Sequence, residues 1–359
     1  MGDAYAVVKA AAVQAAPVFL DRERSTEKAC RLIREAGKNG AQVIGFPEGF
    51  IPAHPVWYHH HPASGAVSTR LATELFKNSV HIPGPEIDAL GAAAREARAY
   101  VVVGVCEKIP GTFGTMYNTQ VYLSPDGTLI GRHRKIMPTL GERLVHAGGF
   151  GDTFGAFQTE FGPMSSLICG ENSNPLAVFA LTAEGTRIHV MSWPNHFPTA
   201  GDPMRNRVLV DSQAFAQMSK AFVVSACATN DERMIEMLDV DSENERFLRN
   251  PEYCGGSLIV APNGRLLAGP MGAEEGILYA DCSLELGVQM KLRHDFAGHY
   301  NRADIFQLHV NRAAPRLYTE YGAAGPAAAP AASEEEAAAP SPASAPPPVR
   351  AGDTMKSRG

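Results

Sequence analysis

Cys169 is the residue of this sequence best placed for nucleophilic chemistry. It ends the short apolar run "SSLIC", and a Gly, a Glu and the helix-start pattern "NSNPL" follow at once. Side chains at the carboxyl end of a strand project toward the ligand crevice of α/β folds. Asn174 and Pro175 are typical of a helix N-cap and first turn, and a helix N-terminus favours a thiolate. The pattern predicts a reactive thiol, with an ordinary buried strand cysteine as the alternative.

The other five cysteines lie within or beside predicted strands or a helix and form no CxxC pair: Cys30, Cys106, Cys227, Cys254 and Cys282. This usage predicts reduced thiols, a cytoplasmic location and no cysteine-based zinc site. Cys106 is followed by Glu107, but neighbours on a strand point to opposite faces, so we do not expect the two side chains to converge.

Two further segments carry charged groups in unusual settings. Glu48 ends the apolar strand "VIGF" between two prolines, where desolvation predicts a raised pKa suited to a general base. Lys135 and Glu142 stand seven residues apart in "GRHRKIMPTLGERLVHAGG". The alternatives are a surface loop glutamate and a solvated basic turn.

The histidine-rich stretch "AHPVWYHHHPAS" suggests a metal site at first sight. Three consecutive histidines (59 to 61) cannot all face one ion, and no carboxylate is interleaved with them or with His54. The sequence therefore predicts neither a metal nor a cofactor.

Length and charge limit the classes of partner. The chain has 359 residues and 32 basic against 38 acidic side chains, a formal charge of −6 without a long basic block. Nucleic acid and anionic membranes are poor candidates. No apolar run reaches the roughly 18 residues that span a bilayer, and the N-terminus does not resemble a secretory signal.

These candidate residues require strands and helices that bring them together. Strand and helix patterns alternate through the first half, and two hairpins turn at Asp126-Gly127 and Asn263-Gly264. Roughly ten strands and at least four helices predict a mixed sheet, or two stacked sheets covered by helices. One domain is expected over residues 1–320. The Ala/Pro-rich segment 321–359 is predicted to be disordered, with a role at oligomer contacts as the alternative.

Four motifs together resemble the nitrilase superfamily. "FPE", "HRKIMPT", "GERLVHAGG" and "CGENSNPL" occur in the order and approximate spacing of that family. "SWPNHFP" and "DFAGHYNRADIF" are similar to nitrilase segments as well, so that the resemblance covers about residues 7–310. It implies an α/β fold, an α-β-β-α sandwich of two mixed sheets flanked by helices.

The resemblance also implies roles for the charged residues and the thiol. Glu48 is then the general base, Lys135 the cation beside the tetrahedral intermediate, Cys169 the nucleophile and Glu142 the additional glutamate. The pattern C-x-E-x-x-x-P resembles true nitrilases, which convert a nitrile to an acid and ammonia through thioimidate and thioester intermediates. Many resembling enzymes carry a bulky aromatic residue where this chain has Gly170.

Substrate contacts are expected at seven positions: Trp57, Tyr58, Gly170, Glu171, Trp193, Pro194 and His196. The aromatic residues among them favour aryl or arylaliphatic nitriles. The resemblance implies a homo-oligomer, a dimer extending to spirals or filaments. His299 makes a subunit contact, supports the site or is structural. Alternatives are an amidase, a nitrile- or cyanide-hydrating relative, and a catalytically silent assembly or partner-binding protein.

Overall fold

A computed structural model describes residues 2–198, 203–314 and 316. Its twelve strands, numbered in chain order, are β1 (Val7–Gln14), β2 (Val43–Gly45), β3 (Tyr100–Lys108), β4 (Met116–Leu123), β5 (Leu129–Arg134), β6 (Phe157–Thr159), β7 (Gly162–Ile168), β8 (Ile188–Trp193), β9 (Phe222–Cys227), β10 (Leu258–Val260), β11 (Leu266–Ala268) and β12 (Gly276–Ser283). The helices are α1 (Arg22–Lys38), α2 (Ala66–Asn78), α3 (Pro85–Ala97), α4 (Pro175–Ala183), α5 (Met204–Ser219), α6 (Glu232–Leu238), α7 (Ser242–Arg249) and α8 (Leu284–Lys291).

The strands form two six-stranded mixed sheets. The first has the order β12-β1-β2-β3-β4-β5 and the second the order β6-β7-β8-β9-β10-β11. In both, the pairings run antiparallel, parallel, parallel, antiparallel and antiparallel in the order given. The two sheets therefore share one pairing pattern, and β12 closes the first of them from the far end of the chain.

The side-chain alternation of β1 shows why the sheets stack. Val8, Ala10 and Ala12 face a core shared with strands of the second sheet, whereas Ala11 and Val13 face a core shared with α1 and α3. A strand buried on both faces has this apolar composition throughout. Helices α4 and α5 cover the other face of the second sheet in the same way. The predicted α-β-β-α sandwich is confirmed.

Helix α1 shows how local sequence signals set the boundaries. The Asp21 side chain caps its start by accepting from the Arg24 backbone N–H. The predicted apolar stripe (Ala29, Leu32, Ile33, Ala36) is buried against the sheet. The helix ends at Lys38, just before Gly40, as predicted.

Several elements were not predicted. Helices α2, α6, α7 and α8 were missed, and the described residues contain twelve strands rather than ten. Helix α7 ("SENERFLR") is eight residues long and has only two large apolar side chains, Phe247 and Leu248, too few to show a helical period from sequence. The predicted disordered segment 321–359, and the domain end at 320, lie outside the described residues. Among those described, no helix is both long enough and apolar enough to cross a membrane.

Candidate active site

Lys135 lies at the centre of a buried charge cluster directly after β5. Its Nζ donates to Glu48 Oε1 at 2.8 Å and to Glu142 Oε2 at 2.6 Å. All three side chains are about 1% exposed or less. Burial disfavours the ammonium, but the two carboxylates hold the pKa of Lys135 well above its ordinary value. A permanent positive charge is thus fixed between two carboxylates.

The loop that carries Glu48 is held between the two sheets. The Glu48 N–H donates to the carbonyl of Trp193 at the end of β8 in the second sheet. Gly104 in β3 lies so close to the Pro47 carbonyl that a Cβ at this position would overlap it. A glycine is therefore required where the loop crosses the first sheet.

The two oxygens of Glu48 have different environments. Oε1 accepts from Lys135 and from Asn118 Nδ2 at 2.7 Å, and His54 Nδ1 lies 3.4 Å away. Oε2 is buried and has no hydrogen-bond partner among the described residues. Burial alone acts to raise the pKa of Glu48, as predicted, but Lys135 and His54 outweigh it and lower the pKa. The predicted direction of the shift is wrong, because sequence does not show that a lysine lies against this carboxylate.

Both carboxylate oxygens of Glu142 have hydrogen-bond partners. Oε1 accepts from Asn118 Nδ2 at 2.7 Å and lies 3.2 Å from His146 Nδ1, and Oε2 accepts from Lys135 and from the Thr139 N–H at 2.9 Å. Burial acts to raise the pKa of Glu142, but Lys135 and His146 hold it well below the ordinary value. This carboxylate can orient Lys135, whereas Glu48 has an oxygen free for a proton or a water.

Cys169 follows β7 and has a left-handed backbone, with φ of +52°. It is 6% exposed. Burial and the negative charge of Glu48 raise the pKa of its thiol, and Lys135 acts in the opposite direction. Asn174 caps α4 as predicted, but α4 begins only after a 3-10 turn over Cys169–Ser173. The predicted lowering of the Cys169 pKa by a helix start is therefore wrong, because burial and Glu48 raise this pKa and outweigh Lys135.

Cys106 is a core residue, as predicted. Its side chain is wholly buried in β3, and Sγ donates to the Ala53 carbonyl at 3.1 Å. Glu107 instead pairs with Arg132 and Arg134 at 3.0 and 2.6 Å. Cys106 thus packs in the core, whereas Glu107 pairs with two arginines of β5.

A cavity of about 570 Å³ opens beside Cys169. Gly170 is the predicted substrate contact that lines it, and a Cβ added there would meet only Thr139 Oγ1, at 3.8 Å. The remaining lining residues were not predicted; they are Thr139, Leu140, Phe197, Pro203, Met204, Asn206, Arg207, Val210 and Asp211. Sequence gives little signal for them, because most come from the first turns of α5, far from every catalytic motif.

Four other predicted substrate contacts do not line this cavity as described. Trp57 and Trp193 are wholly buried in apolar clusters, and Pro194 is buried. Tyr58 is half-buried beside Gly141. Since none of these lines the cavity as described, their contact with substrate stays a prediction.

Glu171 connects the segment that carries Lys135 with the segment that carries Cys169. Its Oε1 accepts from the Ile136 N–H at 2.6 Å, and Oε2 accepts from the Ile168 N–H at 3.0 Å and lies 2.9 Å from His133 Nε2. Ile136 follows Lys135, and Ile168 precedes Cys169. The carboxylate thus holds the lysine and cysteine segments in register, and a direct contact with substrate remains a prediction.

The three histidines at positions 59 to 61 each have a separate contact, whereas His54 and His146 belong to the charge cluster. His59 stacks on Phe197, His60 Nδ1 lies 2.6 Å from Asn244 Oδ1, and His61 Nε2 lies 2.6 Å from the Leu238 carbonyl. They do not converge on one point. Ligand atoms of Glu48, His54 and Glu142 do lie within 4.8 Å of one another. Lys135 already bonds both of those carboxylates, so this cluster suits an ammonium rather than a metal ion.

Comparison with known proteins agrees with this geometry. Residues 9–291 match the model of the carbon-nitrogen hydrolase family. The chain belongs to the carbon-nitrogen hydrolase family. The resemblance to the nitrilase superfamily is thereby confirmed, and the protein is a hydrolase of carbon–nitrogen bonds.

Individual relatives cover most of this hydrolase. An aliphatic nitrilase of Sinorhizobium fredii is 37% identical over 84% of this chain and 95% of its own. An arylacetonitrilase of Aspergillus niger is 33% identical over 84% of this chain and 92% of its own. The solved carbon-nitrogen hydrolase of Helicobacter pylori G27 superposes with a TM-score of 0.65 at 18% identity, covering 83% of this chain and 97% of that one. The last comparison shows the shared fold.

Three residues of the hydrolase's charge cluster were missed from sequence. Asn118 bridges the two carboxylates from β4, and His54 and His146 flank them. Asn118 stood in no pattern weighed for chemistry, His146 was given no role although it lies in "GERLVHAGG", and His54 was weighed only as a metal ligand. Only the pairing of β4 with β3 and β5 brings Asn118 against Glu48 and Lys135.

We expect acid to destabilise this hydrolase through His196. The imidazole is 1% exposed, Nε2 lies 2.9 Å from the Gly255 carbonyl, and burial lowers its pKa from 6.5 to about 4. The unfolded chain therefore binds the proton first, and stability present above pH 6.5 is lost as the pH falls toward 4. The loss is about 3 kcal/mol from this group.

Urea unfolding between pH 8 and pH 4.5 measures this effect. His196→Gln should flatten the dependence of the free energy of unfolding on pH. The matched variant at an exposed histidine, His299→Gln, should leave the slope unchanged. Equal slopes in all three proteins would contradict the assignment to His196.

Proposed function

We propose that this hydrolase is a cysteine-dependent nitrilase, which converts R-CN and two waters to R-COOH and NH3. One observation carries the proposal. The buried ammonium of Lys135 bonds the carboxylates of Glu48 and Glu142, and Glu48 keeps one oxygen without a hydrogen-bond partner among the described residues. The thiol of Cys169, which lines the cavity, lies beside this group. The arrangement supplies a base, a cation and a nucleophile in one buried site. The names of the two nitrilase relatives support the same reaction.

The first half-reaction forms a bond between sulfur and the nitrile carbon. Glu48 takes the thiol proton of Cys169, and the thiolate attacks the carbon. Thiolate is the strong, soft nucleophile that a nitrile requires. Negative charge develops on nitrogen, where Lys135 stabilises it and the proton taken from sulfur is returned. The product is the thioimidate, Cys–S–C(=NH)–R.

Two waters complete the cycle. Glu48 Oε2 activates the first, which adds to the thioimidate carbon, and the C–N bond breaks to release ammonia and leave a thioester. The second water, activated in the same way, breaks the C–S bond. It yields the carboxylic acid and restores the thiol of Cys169.

The cavity supports an aryl or arylaliphatic R group. Its volume of about 570 Å³ lies in the range of pockets that enclose a small organic ligand. Phe197, Leu140, Met204 and Val210 provide the apolar wall. The rings of Trp57 and Trp193 are wholly buried and do not line the cavity as described, so the support for this preference comes from the cavity wall.

A panel of aliphatic, aryl and arylaliphatic nitriles tests the function, with acid, amide and ammonia measured for each. We expect acid and ammonia in equal amounts, and the highest kcat/KM with an arylaliphatic nitrile. Hydrolysis of amides without nitriles would indicate an amidase instead. Release of amide alone would indicate a nitrile-hydrating enzyme, and no turnover of either class would indicate a silent relative.

We expect Gly170 to set the size of the substrate. The position is open, and its backbone is one that other residues adopt, so Gly170→Trp should fold and fill the cavity beside the thiol. The ratio of kcat/KM for phenylacetonitrile to that for propionitrile should fall roughly ten-fold or more, because the ring no longer fits. Gly170→Ala is the matched control and should leave the ratio nearly unchanged. An unchanged ratio in the Trp variant would place the R group elsewhere.

We also propose that copies of the chain associate, as a dimer that extends to spirals or filaments. A groove of about 720 Å³ beside α4 has an apolar lining that includes Leu176, Ile305 and Phe306, each 58–69% exposed. Contiguous exposed apolar surface of this kind is typical of protein contacts.

Light scattering should therefore give a mass above that of one chain. Leu176→Glu should lower this mass, since a carboxylate would be buried at the contact. Phe113→Glu, at an exposed apolar residue outside the groove, should not change it. A fully active monomer of unchanged sequence would overturn the proposal.

We propose a cytoplasmic location, supported by six cysteines that are all free and buried. Cell fractionation tests it. Recovery of the protein from a membrane or secreted fraction would contradict the proposal.

A further inference from the structure

The backbone turn that carries Cys169 is closed by a side chain with no place in the reaction described above. The left-handed conformation of Cys169 costs a non-glycine residue about 1 kcal/mol, so contacts around it must maintain it. Asn172 Nδ2 donates to the Cys169 carbonyl at 2.8 Å and lies 3.3 Å from the Leu167 carbonyl. One amide thus links the turn on both sides of the thiol.

The orientation of that amide is set by His189. Because Nδ2 of Asn172 faces two carbonyls, Oδ1 must face the other way, where it lies 2.9 Å from His189 Nε2. Oδ1 can only accept, so Nε2 carries the imidazole proton. Nδ1 of the same ring then accepts from Ser165 Oγ at 2.8 Å. The tautomer of His189 therefore follows from the orientation of the Asn172 amide.

His189 is itself held in place. The side chain is wholly buried in β8, and its ring stacks on Phe215 of α5 with centroids 3.8 Å apart. At the far end of the row, Thr186 Oγ1 lies 3.0 Å from Ser165 Oγ and donates to the Leu181 carbonyl at 2.8 Å. Burial, reinforced by His133, keeps the pKa of His189 well below its ordinary value, so the ring is neutral. A neutral imidazole has a single N–H to donate, and the stacking on Phe215 fixes the direction in which it donates.

We propose that His189, acting through Asn172, is a positioning residue that holds the Cys169 thiol in its attacking orientation. The inference rests on the proposed function, since it takes Cys169 as the nucleophile. Without His189, the amide of Asn172 can rotate and the turn can relax toward an ordinary conformation. A misplacement of about 1 Å costs roughly 100-fold in rate. The cavity wall is untouched, so substrate affinity should change little.

His189→Leu and His189→Gln form a matched pair for the test. Leucine removes the donor, whereas the glutamine amide can replace Nε2 against Asn172. Three quantities are measured on each folded variant: kcat and KM for a nitrile, the alkylation rate of Cys169 by iodoacetamide from peptide mass spectrometry, and Tm. We expect the Leu variant to lose 10- to 100-fold in kcat and to alkylate more slowly, with KM nearly unchanged. The Gln variant should recover most of both rates.

Ser225→Ala controls for stability alone. The Ser225 hydroxyl is buried and lies 2.7 Å from Ser212 Oγ, in a contact separate from the row that ends at Cys169. This variant should lower Tm without changing kcat or alkylation. If His189→Leu behaves in the same way, the positioning role is overturned.

Asn172→Asp carries the test if His189→Leu does not fold. Aspartate keeps an acceptor for His189 and removes the donor to the Cys169 carbonyl, so the same loss in kcat is expected, and a normal kcat overturns the inference. Different results would refute the proposed nucleophile and the proposed positioning role. A normal rate in Cys169→Ala would refute the nucleophile, whereas an inactive Cys169→Ala with a normal His189→Leu would refute only the positioning role.

Discussion

Cys169→Ala is expected to keep its fold and to lose nitrile hydrolysis by roughly 10⁵-fold or more, the scale of removing the nucleophile of a catalytic triad. The reason is the position of the thiol: it lies against the Glu48–Lys135 pair and lines the cavity. Removing it leaves no group that can form the thioimidate. Acid and ammonia release, with circular dichroism of the same sample, measure the loss and the fold together.

Cys106→Ala is the matched control. The two thiols are both buried, and burial raises the pKa of each, so neither pKa nor exposure separates them. Position does, because Cys106 donates to the Ala53 carbonyl in the core. Its loss should cost about 1 kcal/mol of stability and leave kcat nearly normal. An inactive Cys106→Ala beside an active Cys169→Ala would transfer the nucleophile to Cys106.

The second large effect is expected from Glu48→Gln, which should lower nitrile turnover by roughly 10²- to 10⁴-fold and trap an acyl-enzyme. The amide keeps the shape of Glu48 but cannot take a proton. It also removes the negative charge that raises the pKa of Cys169, while Lys135 remains to favour the thiolate. An activated ester, whose leaving group needs no proton, should therefore still acylate Cys169. Deacylation then stalls, and intact-protein mass spectrometry should show the adduct.

Glu142→Gln separates the two carboxylates. Both oxygens of Glu142 are occupied by donors, so the substitution should impair the placement of Lys135 and lower kcat without accumulation of an adduct. Rapid ester turnover in Glu48→Gln, or an adduct confined to Glu142→Gln, would exchange the roles. Lys135→Gln is a poorer probe. It leaves two buried carboxylates uncompensated, at a cost of about 3–5 kcal/mol.

Sequence could predict the family and the main site residues because each has a local signal. Cys169, Glu48 and Lys135 all stand in short motifs at element ends. What it could not predict is how their charges act on one another. The shifts expected for Glu48 and Cys169 followed from local burial and a nearby helix start, and both directions were wrong. The approach of Lys135 to Glu48, and of Glu48 to the thiol, depends on how three separate strands pair and stack.

The same limit applies to the substrate pocket and to several helices. Trp57 and Trp193 looked like pocket residues because aromatic rings near catalytic motifs often contact substrate. Both are wholly buried in apolar clusters and do not line the cavity as described, whose wall includes Met204 and Val210 on α5. Helix α5 itself was predicted, but its face toward the site was not. Its apolar side chains are spread around the helix, so their spacing does not identify one inward face.

The pairing of β12 with β1 has a consequence for synthesis of the chain. Eight residue pairs join these strands, from Val7 with Ser283 to Gln14 with Gly276. The second sheet, by contrast, lies wholly within residues 157–268. At roughly 5–20 residues per second, about 15–50 s separate translation of the two partners. We expect β1 to lack this partner strand during that time, which leaves one of its edges open to pairing with other chains. Protease cleavage of stalled chains should show protection of β1 only after β12 has emerged.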